Sequence, residues 1–394
     1  MKRTIYTLSL ICLPVINSCT DETSSAQLPV DTPTCPLQLN FAQTGTASLA
    51  SNASPATSST SRSAVIGTGT GSNGKIAAIG VYVTGTDRQP YTGTDTGRYT
   101  YVTTDTDGSA AGAVWTCYAG TNTSGTASPI YVSTLQATVN AFHPANATVT
   151  GDATSGHTIP VSAGTIPAAQ TFNPANNWEC SATDYLVGSA SATVNDFTSI
   201  TAAIDMNNLS AAISKTVYMH HALARVEFQI QNSDGQYEAG YNYVKNIILE
   251  SASGSTPFLT AESGNGNGKM QIDNGALTGL TAVQTLTFTP FTGSTPVQIP
   301  DKGSGLTTIG YGLAAPLSTT PTSDITLKIT LGKQGNTTDD RTVSATHASF
   351  KVQWKAGYNY TYKLKLDNHI LAPISVEIGE LTETIENDHI LDVD

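Results

Sequence analysis

Short runs rich in β-branched and aromatic residues, each closed by Gly, Asp or Pro, recur along most of this 394-residue chain, and that pattern restricts it to strand-built folds. In the first half the runs fall at 64–66, 76–83, 98–103, 113–118, 130–142 and 185–187. In the second they fall at 217–231, 243–250, 285–291, 309–313, 325–331, 348–354 and 358–366. Residues 196–212 are less regular and suit a short helix or a connecting segment. Ser and Thr make up about a quarter of the chain, with 34 Gly and 18 Pro, a composition of strands and turns rather than helices. No βαβ alternation appears, which argues against a doubly wound nucleotide-binding fold. The expectation is an all-β chain of two tandem β-sandwich domains, 63–210 and 211–394, with the boundary between Asn207 and Thr216.

The N-terminus addresses the chain for export. Lys2 and Arg3 precede an apolar run over 5–16, the length of a signal peptide rather than of a membrane span. Residues 15–19 place a small residue just before Cys19 and resemble a lipoprotein lipobox, although Asn17 fits it loosely. Residues 1–18 are then the lipoprotein signal peptide, Cys19 is the lipidated first mature residue, and 19–36 form a polar, Pro-punctuated tether. Thr20, Asp21 and Glu22 look like the acidic surface-export signal of lipoproteins in the Bacteroidota. The net charge of −12 offers no excess cation for phosphates, which excludes nucleic acid as a partner and leaves membrane attachment to the acyl chains.

Beyond the tether, 37–41 alternates apolar and polar, the signature of a strand buried on one face. A Ser/Thr/Ala/Asn-rich stretch follows, with the features of an exposed loop, and Arg62 ends it as the first basic residue since Arg3. Once Cys12 leaves with the signal and Cys19 takes lipid, Cys35, Cys117 and Cys180 remain. Their spacing excludes CxxC chemistry and allows one disulfide at most. Cys117 with Cys180 is the expected pair, since both fall within 63–210, though an odd count leaves the partners open.

The chemistry-bearing motifs have bland explanations. Residues 69–75 fit both G-x-x-x-x-G-K and G-x-G-x-x-G, but a strand-like run follows where phosphate binding needs a helix N-terminus. His220 and His221 point to opposite faces of a strand and cannot share one metal. His143, His157, His347, His369 and His389 read as turn or surface residues. Asp105 and Asp107 open something like a calcium loop without its later carboxylates, and Glu377 with Glu380 read as solvated edge charge. No catalytic residue, metal ligand or cofactor is nominated, and the chain is read as a non-enzyme.

Two segments carry a resemblance. Residues 221–230, HALARVEFQI, look like the mid-chain strand of the fimbrillin family, the pilins of type V pili in the Bacteroidales. Residues 350–364, FKVQWKAGYNYTYKL, resemble that family's penultimate strand pair, and 184–187, DYLV, is similar to a shorter family segment in its first domain. The resemblance implies two transthyretin-like or immunoglobulin-like sandwiches. It also implies a subunit of a surface fimbrium at the cell outer membrane, assembled by donor-strand exchange. A surface trypsin-like protease would cut after Arg62, or at Lys75 as the next basic alternative, and remove the strand carrying Leu37, Leu39 and Phe41 within 37–62. A neighbouring pilin's extended segment would fill the groove head to tail. Donor residues would come from the alternating tail, Ile374, Val376, Ile378 and Leu381. The alternative is a non-polymerising surface lipoprotein that binds glycan or host protein through its loops. Tyr91, Tyr99, Tyr101 and Trp178 are then candidates for stacking on sugars, although strand packing is their more ordinary role. A β-sandwich hydrolase has no nucleophile nominated for it.

The lipobox reading is tested at its first residue. Replacing Cys19 by Ala is expected to abolish incorporation of labelled palmitate in the expressing cell, and labelling that persists refutes the assignment.

Overall fold

The computed structural model describes residues 35–43, 63–64, 76–91, 96–103, 115–176, 179–207, 213–233, 241–251, 257–262, 267–293, 296–317, 325–333, 340–346, 352–367, 370–381 and 390–391. Cys19, Arg62, Lys75, Asp105, Asp107, Trp178, His347, His369 and His389 lie outside them.

All regular structure among the described residues is β-strand. The first half runs β1 (Cys35–Gln43), β2 (Ser63–Ala64), β3 (Ala78–Thr84), β4 (Arg98–Thr103), β5 (Trp115–Ala119), β6 (Ile130–Val132), β7 (Ala137–His143), β8 (Thr150–Asp152), β9 (Gly156–Pro160), β10 (Ala169–Phe172), β11 (Glu179–Cys180), β12 (Leu186–Ser189), β13 (Ile200–Ala202) and β14 (Ile213–His221). The second runs β15 (Ala224–Asn232), β16 (Tyr243–Ser251), β17 (Phe258–Thr260), β18 (Lys269–Gln271), β19 (Leu277–Thr278), β20 (Thr281–Val283), β21 (Thr285–Pro290), β22 (Thr307–Ala314), β23 (Ile325–Gly332), β24 (Asp340–Thr346), β25 (Tyr358–Asp367), β26 (Ile370–Glu380) and β27 (Ile390–Leu391).

The first large sheet has the order β5-β4-β3-β7-β12-β14-β1-β6, with β13 also on β7. Its inward side chains, among them Ile79, Val81, Val139, Val217 and Met219, make a core of their own. The sheet folds over that core until its two ends approach. Ser128 N–H donates to Cys117 C=O at 2.8 Å, and Phe41 near one end meets Tyr101 and Trp115 at the other, with ring centroids 5.2 and 4.9 Å apart.

The second sandwich faces the sheet β2-β11-β10-β21-β16-β23-β24 against β22-β15-β25-β26-β27. Strict alternation in β23 turns Ile325, Leu327, Ile329 and Leu331 inward. Phe228 of β15 meets Phe288 of β21 at 5.4 Å and Tyr362 of β25 at 5.7 Å, bridging the two layers. Trp354 is buried beneath, its Nε1–H donating to Tyr362 OH at 2.9 Å while Phe258 stacks on it. At Gly312 a Cβ would lie 2.5 Å from the Phe288 ring, so β22 approaches that core only with glycine there.

The structure departs from the sequence expectations in four places. The run 217–231 is two strands in two different sheets, parting at Ala222 and Leu223. Both residues are buried, so no polar position announces the break. The crossing is held by Ala222 N–H to Tyr185 C=O at 2.8 Å and Gly357 N–H to Leu223 C=O at 2.9 Å. The change of sheet therefore falls downstream of the boundary expected near 210. Nor do the two halves segregate: β9 pairs with β18, and β10 lies parallel to β21, so part of 63–210 is built into the second half's sheets. The described part of 196–212 holds the strand β13 rather than a helix. Finally, Cys117 and Cys180 are not paired. They sit in the first and second cores respectively, and both, like Cys35, are thiols.

Because Phe228 links both layers of the second sandwich, Phe228→Ala is expected to lower stability by about 3–5 kcal/mol, read as a shift in the denaturant unfolding midpoint with little change in slope.

Candidate functional site

The leading strand β1 is the penultimate strand of the first sheet, with β14 beside it from Leu37 onward and β6 covering its other edge over Cys35, Pro36 and Leu37. It runs parallel to β14 from Leu37 opposite Ile213 to Gln43 opposite Met219, and antiparallel to β6 through Cys35–Val132, Pro36–Tyr131 and Leu37–Ile130. Alternation sets its faces: Cys35, Leu37, Leu39 and Phe41 are buried, and Pro36, Gln38 and Asn40 are exposed. On the outer face Asn40 Nδ2–H donates to Ser214 Oγ at 2.8 Å. Burying side chains such as Leu37, Leu39 and Phe41 is worth about 1.5–3 kcal/mol each, and the ladder on both flanks adds register to that affinity. Without β1, strands β14 and β6 lose their shared neighbour, and Ile130, Val132, Val217 and Met219 line an uncovered apolar trough.

The groups around this trough are chemically quiet. Burial pushes the Cys117 thiol up to about 12, and Tyr101, buried beside it, is raised as well. On the opposite face of the sheet, away from the trough, the Arg98 guanidinium is driven down to about 10 by burial. It lies 4.9 Å from the Phe142 ring centroid and donates to the carbonyls of Tyr99 and Ala145. Tyr91, Tyr99 and Tyr101 are all buried packing residues, and Tyr91 OH donates to Leu135 C=O at 2.5 Å.

His220 and His221 are buried, and His143, expected as a turn or surface residue, is half-buried. As neighbours on one strand, His220 and His221 meet different surroundings: His220 Nε2 lies 2.9 Å from Ser191 O with its ring against Phe197, whereas His221 Nδ1 lies 3.0 and 3.1 Å from the two carboxylate oxygens of Asp184. Asp184 and His221 stand in two of the segments that carry the family resemblance, so these segments meet in space. Nothing in either one alone indicates that pairing. His143 Nδ1 is 3.3 Å from Ala78 O. Burial holds the pKa of His143 and of His220 below the ordinary imidazole value. Among the described residues, no group of three His, Cys, Asp or Glu is arranged to hold a metal ion.

The tail residues named as donors lie on or beside β26, which pairs with β25 of the same chain: Val376 faces Tyr362 and Ile378 faces Tyr360. Ile374 lies on the same strand, and Leu381 N–H donates to Gly357 C=O at 2.7 Å. Val376 and Leu381 are buried in the second core, with Ile378 half-buried against it. β27 covers the far side of β26 through Val376–Leu391 and Glu377–Ile390, and Glu377 pairs with Lys363. The expected edge charge at Glu377 is thus an ion pair inside a sheet.

Two successive β-sandwiches, the first completed by the chain's own leading strand, define an all-β protein of the kind built by strand packing alone. The Fimbrillin-like family profile matches residues 64–382, and the chain belongs to that family. Among curated proteins none matches it. Solved structures similar to it include a fimbrial protein of Bacteroides vulgatus, at 13% identity over 78% of this chain and 94% of that one with a TM-score of 0.43. A candidate cell adhesion protein of Bacteroides uniformis matches at 14% identity over 78% and 92%, with a TM-score of 0.46. The fimbrial anchor protein Mfa2 of Porphyromonas gingivalis matches at 12% identity over 88% and 98%, with a TM-score of 0.31.

The buried imidazoles give the fold a pH dependence of definite sign. His143 and His220 titrate below 6.5 when folded, so on this account stability is full above that pH and is lost as pH falls below it, where the unfolded chain takes up protons that the folded one refuses. Thermal unfolding by circular dichroism is expected at lower temperature at about pH 5 than at about pH 7. His143→Asn is expected to make that fall shallower, since an amide keeps a polar group facing Ala78 O without a titrating proton.

Proposed function

We propose that this chain is a structural and adhesive subunit of a surface fimbrium, exported as a lipoprotein through Cys19 to the outer membrane and activated by proteolysis after Arg62. The observation that carries the reading is β1: a single nine-residue strand with one buried apolar face, held between β14 and β6. Two further facts support it. Arg62 directly precedes β2, whose Ser63 is paired with Cys180 of β11, so a cut there separates two docked strands. The family match begins at residue 64 and omits β1.

The physics of exchange follows from linkage. While the chain is intact, β1 rebinds as an intramolecular segment, at an effective concentration of about millimolar order. A cut at Arg62 removes that advantage, and an extended segment of another subunit with apolar residues at alternate positions competes for the same trough. The contact is heterologous and does not close, so it propagates as a fibre. The partners are other pilin subunits, a trypsin-like surface protease, the membrane through the lipid, and an adhesion ligand on a host or bacterial surface; no catalysis is assigned.

The seating of β26 favours a second reading. Donating Ile374, Val376, Ile378 and Leu381 would require stripping β26 from β25 and uncovering Tyr360 and Tyr362. A subunit that accepts a strand without giving that one is a tip, and one that does neither is a non-polymerising surface lipoprotein binding glycan or host protein through its loops.

Limited trypsin digestion separates these readings. On the leading one, a free Ser63 N-terminus appears, Cys35 leaves with the released peptide, Cys117 becomes reactive to a thiol reagent, and the trimmed chain forms SDS-resistant ladders. A chain that acquires Ser63 as its N-terminus yet keeps Cys117 protected and stays monomeric overturns it. Arg62→Ala is expected to block the conversion, unless Lys75 is the site used.

A further inference from the structure

We infer that the end of the first sheet from which the tether departs is a lipid-contacting surface, through which the unprocessed lipoprotein rests on the membrane that anchors it. The inference rests on the lipoprotein reading above. Among the described residues, four large apolar side chains are exposed, and three of them belong to one place: Tyr131 at 44%, Leu135 at 45% and Met206 at 43%. Scattered singly, such residues need no explanation, but these share connected backbone. Tyr131 lies on β6, Leu135 follows in the turn after it, and Ile204, two residues before Met206, donates its N–H to Ser133 C=O at 2.7 Å. Pro36 of β1 is also exposed and stands directly opposite Tyr131.

Strand direction says what this surface meets. β6 is antiparallel to β1, with Val132 opposite Cys35, so the turn carrying Leu135 projects past Cys35 toward the side from which the tether enters. β14 is parallel to β1, with Ile213 opposite Leu37, so the segment before it, including Met206, belongs to the same end. Only fifteen residues separate Cys35 from Cys19 in sequence, a length that spans about 20 Å as a coil and at most about 50 Å when stretched. The exposed Tyr, Leu and Met therefore stand at the end of the molecule nearest its own acyl chains. Tyrosine is also a residue suited to the headgroup boundary. The contact is apolar rather than electrostatic, because the chain carries a net charge of −12 and Asp205 adjoins Met206. Removal of β1 takes Pro36, the tether and the anchor away together, which would release this surface at the moment of processing.

The test holds the full mature chain, with a His tag in place of Cys19, on phosphatidylcholine vesicles containing a nickel-chelating lipid. An environment-sensitive dye is attached through Leu135→Cys or, as a distant control, Lys302→Cys, the native thiols of the described core being buried. The dye at 135 is expected to shift to the blue and to be quenched by doxyl-labelled lipid, independently of salt and of added anionic lipid, while the dye at 302 is not. Tyr131→Ser, Leu135→Ser and Met206→Ser together are expected to speed release by imidazole about tenfold while leaving the unfolding temperature within a few degrees of the parent. No quenching at 135, or equal quenching at both positions, overturns the inference. So does self-association in solution that depends on the same three residues without any quenching, which would assign the surface to a second copy of the chain. Because the tag replaces the acyl chains, a negative result falls on the surface alone, whereas palmitate labelling judges the anchor.

Discussion

The first core is closed by a strand that comes from outside the contiguous body of the chain. Cys35, Leu37, Leu39 and Phe41 enter it from β1, and the Phe41 ring reaches across to Tyr101 and Trp115 near the opposite end of the rolled sheet. That contact makes the fold-over of the sheet depend on β1, for without Phe41 the two ends lose their shared aromatic contact. The same ladder joins β14 to β6, two strands far apart in sequence that have no direct pairing in the sheet order. Burial and hydrogen bonding at this place are thus concentrated in one short segment, a condition that strand replacement requires.

The second sandwich depends on different physics. Phe228, Phe288 and Tyr362 pack ring to ring, Trp354 joins them by its hydrogen bond to Tyr362 OH and stacks on Phe258, and β10 and β21 draw a first-half strand into the wall. At the crossing between the halves, Ala222 and Leu223 are buried and backbone-bonded to Tyr185 and Gly357, with Asp184 and His221 paired immediately beside them.

Much of the strand content was legible because strand signals are local. Alternation over 37–41 predicted the buried face of β1, and 325–331 and 358–366 came close to their strands. Where prediction departed from structure, the missing information was long-range. The run 217–231 gave no sign of its change of sheet because both flanks are apolar, and the interleaving of β9 and β10 with the second half leaves no mark on either strand's own pattern. Cys117 and Cys180 were grouped by nearness in sequence and fall in separate cores. His143 was given to a turn or the surface because imidazole usually lies there, and the carbonyl and carboxylate partners of His143, His220 and His221 come from distant segments that no local pattern names.

By itself, the amino-acid order determined that this is an all-β chain of the fimbrillin-like kind, with an amphipathic strand ahead of Arg62, because alternation, turn residues and family motifs are all written within short windows. Only the tertiary structure decided which strands become neighbours: that β1 lies parallel to β14 and next to last in the sheet, that β26 is docked on its own domain, and that Tyr131, Leu135 and Met206 gather beside the tether. Pairing partners are selected by which apolar faces can be buried together at least cost in loop closure, a property of the whole chain that no single window contains.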